Sequence, residues 1–186
     1  ESAARDESPS AASIGDVTEL EGDVGTRNAV FTISLTQQVD IPTLVDYTVA
    51  AGGPIPATAG VDYNSLIFGT LTFLPGITSM QVIVPIYGDV IDEENETFLF
   101  QISANALNPA LVISDNEGLG TITDDDPDTT PPVLNLPANM TVEATGPAGA
   151  VATYVATATD APHADPAVSC LPASGGTFPL GTTTVN

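Results

Sequence analysis

The chain has 186 residues, of which 24 are acidic and only 2 are basic, so its formal net charge at pH 7 is −22. Both basic residues are arginines, Arg5 and Arg27. Nucleic acid is excluded as a natural partner and docking on anionic lipid is disfavoured, because both are bound through clustered Lys and Arg. Hydrophobic residues nevertheless make up 42% of the chain, which is a globular composition. The length allows one large domain or two small ones.

Cysteine content and apolar runs say little about the compartment. Cys170 is the single cysteine, so an internal disulfide is excluded. No apolar run approaches the length of a membrane-spanning helix. The first residues lack an initiator Met and a signal-peptide core, and we interpret the chain as a mature or excised piece.

Apolar and polar residues alternate along the first two thirds of the chain, which predicts short β-strands rather than helices. Pro85 indicates that its strand lies at the edge of a sheet. Strands without intervening helices predict antiparallel sheets packed face to face. The predicted strands cover 29–35, 44–50, 66–73, 80–86, 96–102 and 118–123.

A change of composition follows the last of these strands. Residues 124–132 combine a run of aspartates with prolines, so they predict a short, stiff connector. Beyond it the sequence is rich in Ala, Thr and Pro and far less acidic, with β-prone pieces at 140–143 and 151–157. These features place a domain boundary near residue 129.

Acidic residues gather where the predicted strands begin and end. Glu96 has the same side-chain phase as the inward-facing Phe98, and Asp124 has the same phase as the inward-facing Ile122. If strand 96–102 runs antiparallel to strand 118–124, both carboxylates point into one end of the sandwich. The other acids at strand ends are Glu21, Asp62, Asp89, Asp92, Glu93, Glu94, Asp125 and Asp126.

Several carboxylates at one end of a sandwich repel one another unless a cation joins them. Oxygen ligands without nearby His or Cys favour Ca²⁺ over zinc or copper, and Mg²⁺ tolerates a crowded carboxylate cage poorly. The alternative interpretation is a solvated acidic surface that keeps the protein soluble.

Six segments in the first part of the chain have the motifs of a known domain family: 13–23, 28–31, 59–63, 69–76, 92–98 and 120–126. Together they resemble the Calx-β domain family over about residues 13–126. The resemblance implies a seven-stranded immunoglobulin-like sandwich that binds calcium at one tip.

By position, the family's calcium ligands correspond to eight acids of this chain. The richest sites of the family have paired aspartates where this chain has Gly88 and Asp89, which implies fewer or weaker ions here. The expected ligands are Glu21, Asp62, Asp89, Glu93, Glu96, Asp124, Asp125 and Asp126.

The last part of the chain has the motifs of a second family at 131–133, 136–144, 147–151, 159–160, 168–170 and 176–185. Through these segments, residues 131–186 resemble a hyalin repeat (HYR) domain, an immunoglobulin-like adhesion module. Leu136 stands where that family usually has a cysteine, so Cys170 lacks its usual partner. The last strand of the family is missing, which implies an open sheet edge. An excised fragment, further residues, or a strand donated by a neighbour would each explain this, and the segment 8–14 is a candidate donor.

Catalysis is not supported by the residues that it would need. His163 lies in a loop by composition and is interpreted as a surface histidine, and Cys170 is interpreted as a half-buried thiol with no basic neighbour to activate it. Paired carboxylates are used to cleave glycosides, but here they stand where a metal cage is expected.

The sequence therefore predicts an all-β chain of two tandem immunoglobulin-like antiparallel β-sandwiches. Residues 1–12 are expected to be a tail or donor strand, 13–126 a calcium-binding sandwich, 127–132 a linker and 133–186 an incomplete HYR-like sandwich. The predicted function is a non-enzymatic, calcium-stiffened structural or adhesive segment of an extracellular surface protein or fibre. Expected partners are other copies, neighbouring domains or matrix components, without nucleic acid or membrane insertion. The alternatives are accessory domains of a secreted enzyme and a regulatory calcium sensor.

Overall fold

The structure is a computed structural model that describes residues 9–108 and 110–186. Within these ranges the chain forms thirteen β-strands and no helix, and no segment there is a helix able to cross a membrane. The chain separates into two compact units, with the division between Pro127 and Asp128. The expectation of an all-β fold is confirmed.

The first unit is a sandwich of two sheets. One sheet has four strands in the order β6-β3-β1-β8, and the other has five strands in the order β2-β9-β7-β4-β5. Strand β6, which contains Pro85, is an edge strand as predicted. The nine strands are β1 (Ala11–Ile14), β2 (Val17–Leu20), β3 (Gly25–Leu35), β4 (Thr43–Ala51), β5 (Phe68–Phe73), β6 (Ser79–Gly88), β7 (Glu96–Ala104), β8 (Val112–Ile113) and β9 (Glu117–Thr123).

The core of this sandwich follows directly from the alternation in the sequence. Phe31 of β3 is fully buried and packs against two rings of β7, with ring centroids 5.8 Å from Phe98 and 4.7 Å from Phe100. Burial of such side chains is the main favourable term in folding. The predicted inward-facing residues of β3, β7 and β9 are therefore in the core.

The sandwich differs from the expected seven antiparallel strands in two respects. It has nine strands for two reasons. The first segment breaks at Gly15 and Asp16 and contributes β1 to one sheet and β2 to the other, and the two-residue strand β8 adds to the four-stranded sheet. At this break Asp16 Oδ1 accepts the N–H of Leu119 at 2.8 Å. Two pairs, β1 with β8 and β2 with β9, are parallel, so the sheets are mixed.

The segment expected to be a tail or a donor strand enters the first sheet. Ala12 pairs with Leu35 of β3, and Ala11 pairs with Val112 of β8. Over 11–14 the backbone is thus already paired within its own sandwich. In the remainder of the predicted tail, residues 9 and 10 precede β1 and residues 1–8 lie outside the described residues.

The second unit has four short strands in two separate two-stranded sheets. Strand β10 (Val133–Asn135) pairs with β12 (Thr157–Thr159), and β11 (Ala150–Val151) pairs with β13 (Thr177–Phe178). This is less regular than the sandwich expected for 133–186, because its buried apolar residues are only alanines, which offer little area to hold two faces together. They are Ala150, Ala152 and Ala158.

The second unit contains the single cysteine and the single histidine of the chain. Cys170 is a free, half-buried thiol, and His163 is exposed. Both positions agree with the structural roles expected for them.

Candidate metal centre

The acidic tip of the first sandwich lies where β7 begins and where β2, β6 and β9 end. In the antiparallel pair of β7 and β9, Glu96 lies opposite Ile122, so the start of one strand is beside the end of the other. The predicted register is therefore confirmed, and it places Glu96 and Asp124 at the same end.

Backbone hydrogen bonds bring two further acidic segments to this end. Glu21 donates its N–H to the carbonyl oxygen of Thr123 at 3.1 Å, which holds it beside the end of β9. Tyr87 donates its N–H to the carbonyl oxygen of Asp62 at 2.8 Å, which ties the loop before Tyr63 to the end of β6. Residues distant in sequence thus converge on one surface.

Six of the eight predicted ligands form two separate groups of three. In one group, carboxylate oxygens of Glu21, Asp124 and Asp126 all lie within 4.8 Å of one another. In the other, the same holds for Asp62, Glu93 and Glu96. We call them the Glu21 subsite and the Glu96 subsite. The sequence left the number of ions open, and the structure divides these carboxylates between two subsites.

Several oxygens at the Glu21 subsite are buried without a hydrogen-bond partner among the described residues. They are Glu21 Oε1, Asp124 Oδ1 and Asp126 Oδ2. The Glu21 side chain is only 4% exposed. A buried carboxylate oxygen with no donor is costly, and a cation held by these oxygens would remove that cost. The residues present therefore fit a hard divalent ion.

Carboxyl groups are also paired with each other within each subsite. Burial, a hydrogen bond with Asp124 and the charges of Asp124, Asp89 and Glu93 raise the pKa of Glu21 to about 8. Burial, a hydrogen bond with Asp62 and the charges of Asp62, Glu93 and Glu21 raise the pKa of Glu96 to about 8. Without a cation, each subsite keeps a proton on its glutamic acid, Glu21 or Glu96, near neutral pH. This proton reduces the repulsion between the carboxylates of the subsite.

One further carboxyl in each subsite has a raised pKa. Burial, followed by repulsion from Asp62, Asp89 and Asp124, raises the pKa of Glu93. The pKa of Asp126 is also raised, first by desolvation and then by the neighbouring aspartates.

Asp89 and Asp125 belong to neither subsite. Asp89 Oδ1 accepts the N–H of Ile91 at 2.8 Å, while its charge acts on Glu21 of one subsite and Glu93 of the other. Asp125 is exposed, and its Oδ1 accepts the N–H of Gly22 at 2.8 Å. This hydrogen bond from Gly22 to Asp125 stabilises the loop that follows Glu21.

Two features of the tip were not found from the sequence. Asn95 Oδ1 accepts the N–H of Asp124 at 3.1 Å and so connects the two subsites. The guanidinium of Arg27 lies against Gly22, since a β-carbon built there would be 2.6 Å from Arg27 Nε. Arg27 lies near the start of β3, beside the tip. It is one of only two basic residues in a chain with 24 acidic ones, and this could have pointed to it from the sequence.

Comparison with solved structures identifies related folds. The apo form of the Calx CBD1 domain aligns with a TM-score of 0.55 at 20% identity, covering 64% of this chain and all of that domain. A structure of CBD12 from CALX1.2 aligns with a TM-score of 0.52 at 20% identity, covering 62% of this chain and 45% of that one. The calcium binding domain CBD12 of CALX1.1 gives 0.51 at 21% identity, with 62% and 44% covered. At these identities the likeness shows the fold, an immunoglobulin-like sandwich.

The sequence comparisons are consistent with this fold. A search of curated proteins finds no match. The family model described as Calx-beta domain matches residues 16–126, which is more than half of the chain. Calx-beta domains bind Ca²⁺, so the expected cofactor is confirmed at the level of the family. The chain belongs to the Calx-beta domain family.

Proposed function

We propose that the first unit binds Ca²⁺ at its acidic tip and that the chain acts as a calcium-stiffened structural segment. The observation that carries the proposal is the pair of three-carboxylate subsites, one of which buries oxygens that have no donor among the described residues. Glu21, Asp124 and Asp126 would hold one ion, and Asp62, Glu93 and Glu96 another. The bound ion would supply positive charge that cancels the repulsion between these carboxylates.

Stiffening follows from where the Glu21 subsite lies along the chain. Asp124 and Asp126 lie three residues and one residue before Pro127, the last residue of the first unit. An ion held between these aspartates and Glu21 would fix the backbone at the point where the chain leaves the sandwich. Without the ion, repulsion would loosen this exit and the strand ends around it.

We further propose that the chain acts outside the cell as a non-enzymatic, adhesive or structural segment. Support comes from the HYR-like motifs of 131–186 and from carboxylates that are grouped as ion ligands rather than arranged around a nucleophile and a base. Extracellular calcium modules commonly bind with dissociation constants of roughly 10⁻⁴–10⁻³ M. Other copies of the protein or matrix components would be its partners.

Thermal unfolding of the full chain, with millimolar Ca²⁺ and with a chelator, tests the calcium proposal. We expect Ca²⁺ to raise the Tm, because an ion that binds only the folded state stabilises it. The double variant Asp124→Ala, Glu96→Ala should lose this gain, since it removes one ligand from each subsite. Asp115→Asn, at an exposed acid outside both subsites, should keep it. Superimposable melting curves with and without chelator would refute the proposal.

The measured affinity distinguishes the structural role from a regulatory one. A millimolar dissociation constant with little change in shape would support a stiffened segment. A micromolar constant with a large change in the scattering profile would favour a calcium sensor instead.

A further inference from the structure

One lateral side of the first sandwich consists of two free strand edges. Strand β5 is the last strand of the five-stranded sheet, and β6 is the last strand of the four-stranded sheet. A five-residue turn, 74–78, joins them, so the two edges lie on the same side of the molecule. Open edges are templates for pairing with another strand, and natural proteins usually protect them.

The backbone groups of β6 that face outward follow from its pairing with β3. Leu35 donates to the carbonyl oxygen of Thr78, and the register continues from there to Gly25 opposite Gly88. Even-numbered residues of β6 therefore bond β3, and odd-numbered residues direct their N–H and C=O groups to the open edge.

A short stretch of this edge remains without a backbone partner among the described residues. The N–H of Tyr87 and the carbonyl oxygen of Pro85 bond the segment 62–64, which covers the end of the strand. Ser79, Gln81 and Ile83 are left with free outward groups. The open stretch is therefore five residues long and centred on Gln81.

Neither edge strand carries a charged side chain, although the net charge of the chain is −22. From Tyr63 to Gly88, through both β5 and β6, the sequence contains no Asp, Glu, Lys, Arg or His. The edge strands on the other side differ: β2 is four residues long and contains Glu19, and β8 has only two residues. Two copies of so acidic a chain repel each other least when they meet through strands that carry no charge. For this reason we take a second copy of the chain as the occupant.

The side chains near the two edges favour β6 over β5 as the strand that pairs with a second copy. On the outer face of β6, Ile83 is 49% exposed and lies opposite Val30 of β3. On β5, Thr70 donates to Asp46, and this bond together with one from Asn105 lowers the pKa of Asp46. A charged carboxylate therefore lies one strand from the β5 edge, whereas no charged side chain lies opposite Ser79–Ile83 on β3.

We propose that two copies of the chain associate through β6, antiparallel, about a twofold axis at Gln81. Gln81 then faces Gln81 of the second copy, and Ser79 faces Ile83 in both directions. Each of the three pairs exchanges two N–H···O bonds. Pro85, which has no N–H, and the segment 62–64 stop the ladder at its ends. The result is one continuous eight-stranded sheet, formed independently of calcium.

Charge variants at the axis test the proposal by sedimentation equilibrium of the full chain in about 0.15 M NaCl. A Debye length of about 8 Å then weakens repulsion between distant acids but not between side chains that face each other across the axis. Wild type should dimerise reversibly. Gln81→Glu and Gln81→Lys should each weaken the dimer about fivefold or more, because like charges then face each other across the strands. An equimolar mixture of the two should recover dimers, which no folding defect would produce. Thr72→Glu, on the β5 edge, should leave the wild-type constant unchanged.

The outcomes are decisive in both directions. Wild type that stays monomeric up to about 1 mM, or a Gln81 mixture that dimerises no better than its components, overturns the proposal. Loss of the dimer in Thr72→Glu alone would assign association to β5 and also overturns it.

Disulfide trapping in a Cys170→Ser background tests the register. Residues in a hydrogen-bonded antiparallel pair have Cα atoms about 5.5 Å apart, within the range that a disulfide spans. Gln81→Cys should therefore oxidise to a covalent dimer, whereas Ser79→Cys, displaced from its own counterpart by four residues, should not. Equal trapping at both positions would exclude the twofold axis at Gln81.

Discussion

Gly88 lies so close to Gly22 that a β-carbon at position 88 would be 1.8 Å from the Gly22 carbonyl oxygen. It would also be 2.6 Å from the carbonyl oxygen of Glu21. The end of β6 thus packs directly against the backbone that carries Glu21 into its subsite. This contact gives a physical reason for the glycine at position 88, since any side chain there would collide with the backbone.

We predict that Gly88→Ala lowers the free energy of unfolding by about 2 kcal/mol or more, because the collision involves backbone atoms that cannot rotate away. Urea denaturation of the full chain in chelator measures this loss. Gly15→Ala is the matched control, since a β-carbon at Gly15 meets nothing within 4 Å, and it should change stability by less than about 0.5 kcal/mol. Equal effects of the two substitutions would refute the close contact.

The division of the tip into two subsites predicts separable ions. Glu21→Gln keeps the size of the side chain but removes a charged ligand from one subsite, so we expect isothermal titration calorimetry to lose one class of Ca²⁺ site and retain the other. Glu93→Gln should remove the other class. Asp125→Asn should retain both, because Asp125 lies outside the subsites and its Oδ1 accepts the N–H of Gly22. Loss of all binding in each single variant would indicate one shared cage.

The sequence predicted the features of this arrangement that follow from local pattern, but not those set by contacts between residues far apart in the chain. Alternation located the main strands, and the antiparallel register of β7 and β9 placed Glu96 and Asp124 at one end. The switch of the first segment from β1 to β2 was not predicted, since four residues with alternating burial fit either sheet.

The separation into subsites was also beyond the sequence. It depends on which carboxylates come within a few ångströms, and that is set by long-range backbone contacts such as Glu21 with Thr123. Local pattern gives the phase of a side chain along its strand but not its distance from a residue on another loop.

The raised pKa values predict how stability depends on pH. Glu21 and Glu96 have pKa values of about 8 in the folded chain, against an ordinary value of 4.5. Between these values the folded state holds protons that the unfolded state has released, so its stability falls as the pH rises from about 4.5 to 8. Urea denaturation in chelator across this range measures the decline.

Two comparisons check this assignment. The double variant Glu21→Gln, Glu96→Gln should show a much flatter profile and greater stability than wild type at pH 8 in chelator, because it cannot acquire the two charges. With Ca²⁺ present, the wild-type gain in Tm should grow with pH, since the ion competes with the same protons. A wild-type profile in chelator that rises toward pH 8 would contradict the proposed protonation.

Tyr63 carries a buried hydroxyl beside the Glu96 subsite, and its effect on stability can be tested. Its side chain is fully buried, and its ring stacks on Phe98 with centroids 4.6 Å apart. Its hydroxyl has no hydrogen-bond partner among the described residues, and burial followed by the charge of Asp62 raises its pKa. A buried hydroxyl without a partner costs about 1–3 kcal/mol.

We therefore predict that Tyr63→Phe, which keeps the stacked ring and removes only the hydroxyl, raises the free energy of unfolding by about 1 kcal/mol. Tyr63→Leu removes the ring as well and should lower it by about 2 kcal/mol or more. Both are measured by urea denaturation in chelator, so that a change in calcium affinity does not contribute to the measured free energy of unfolding. A loss of stability in Tyr63→Phe would show instead that the hydroxyl makes a favourable bond, because the ring packing is the same in both proteins.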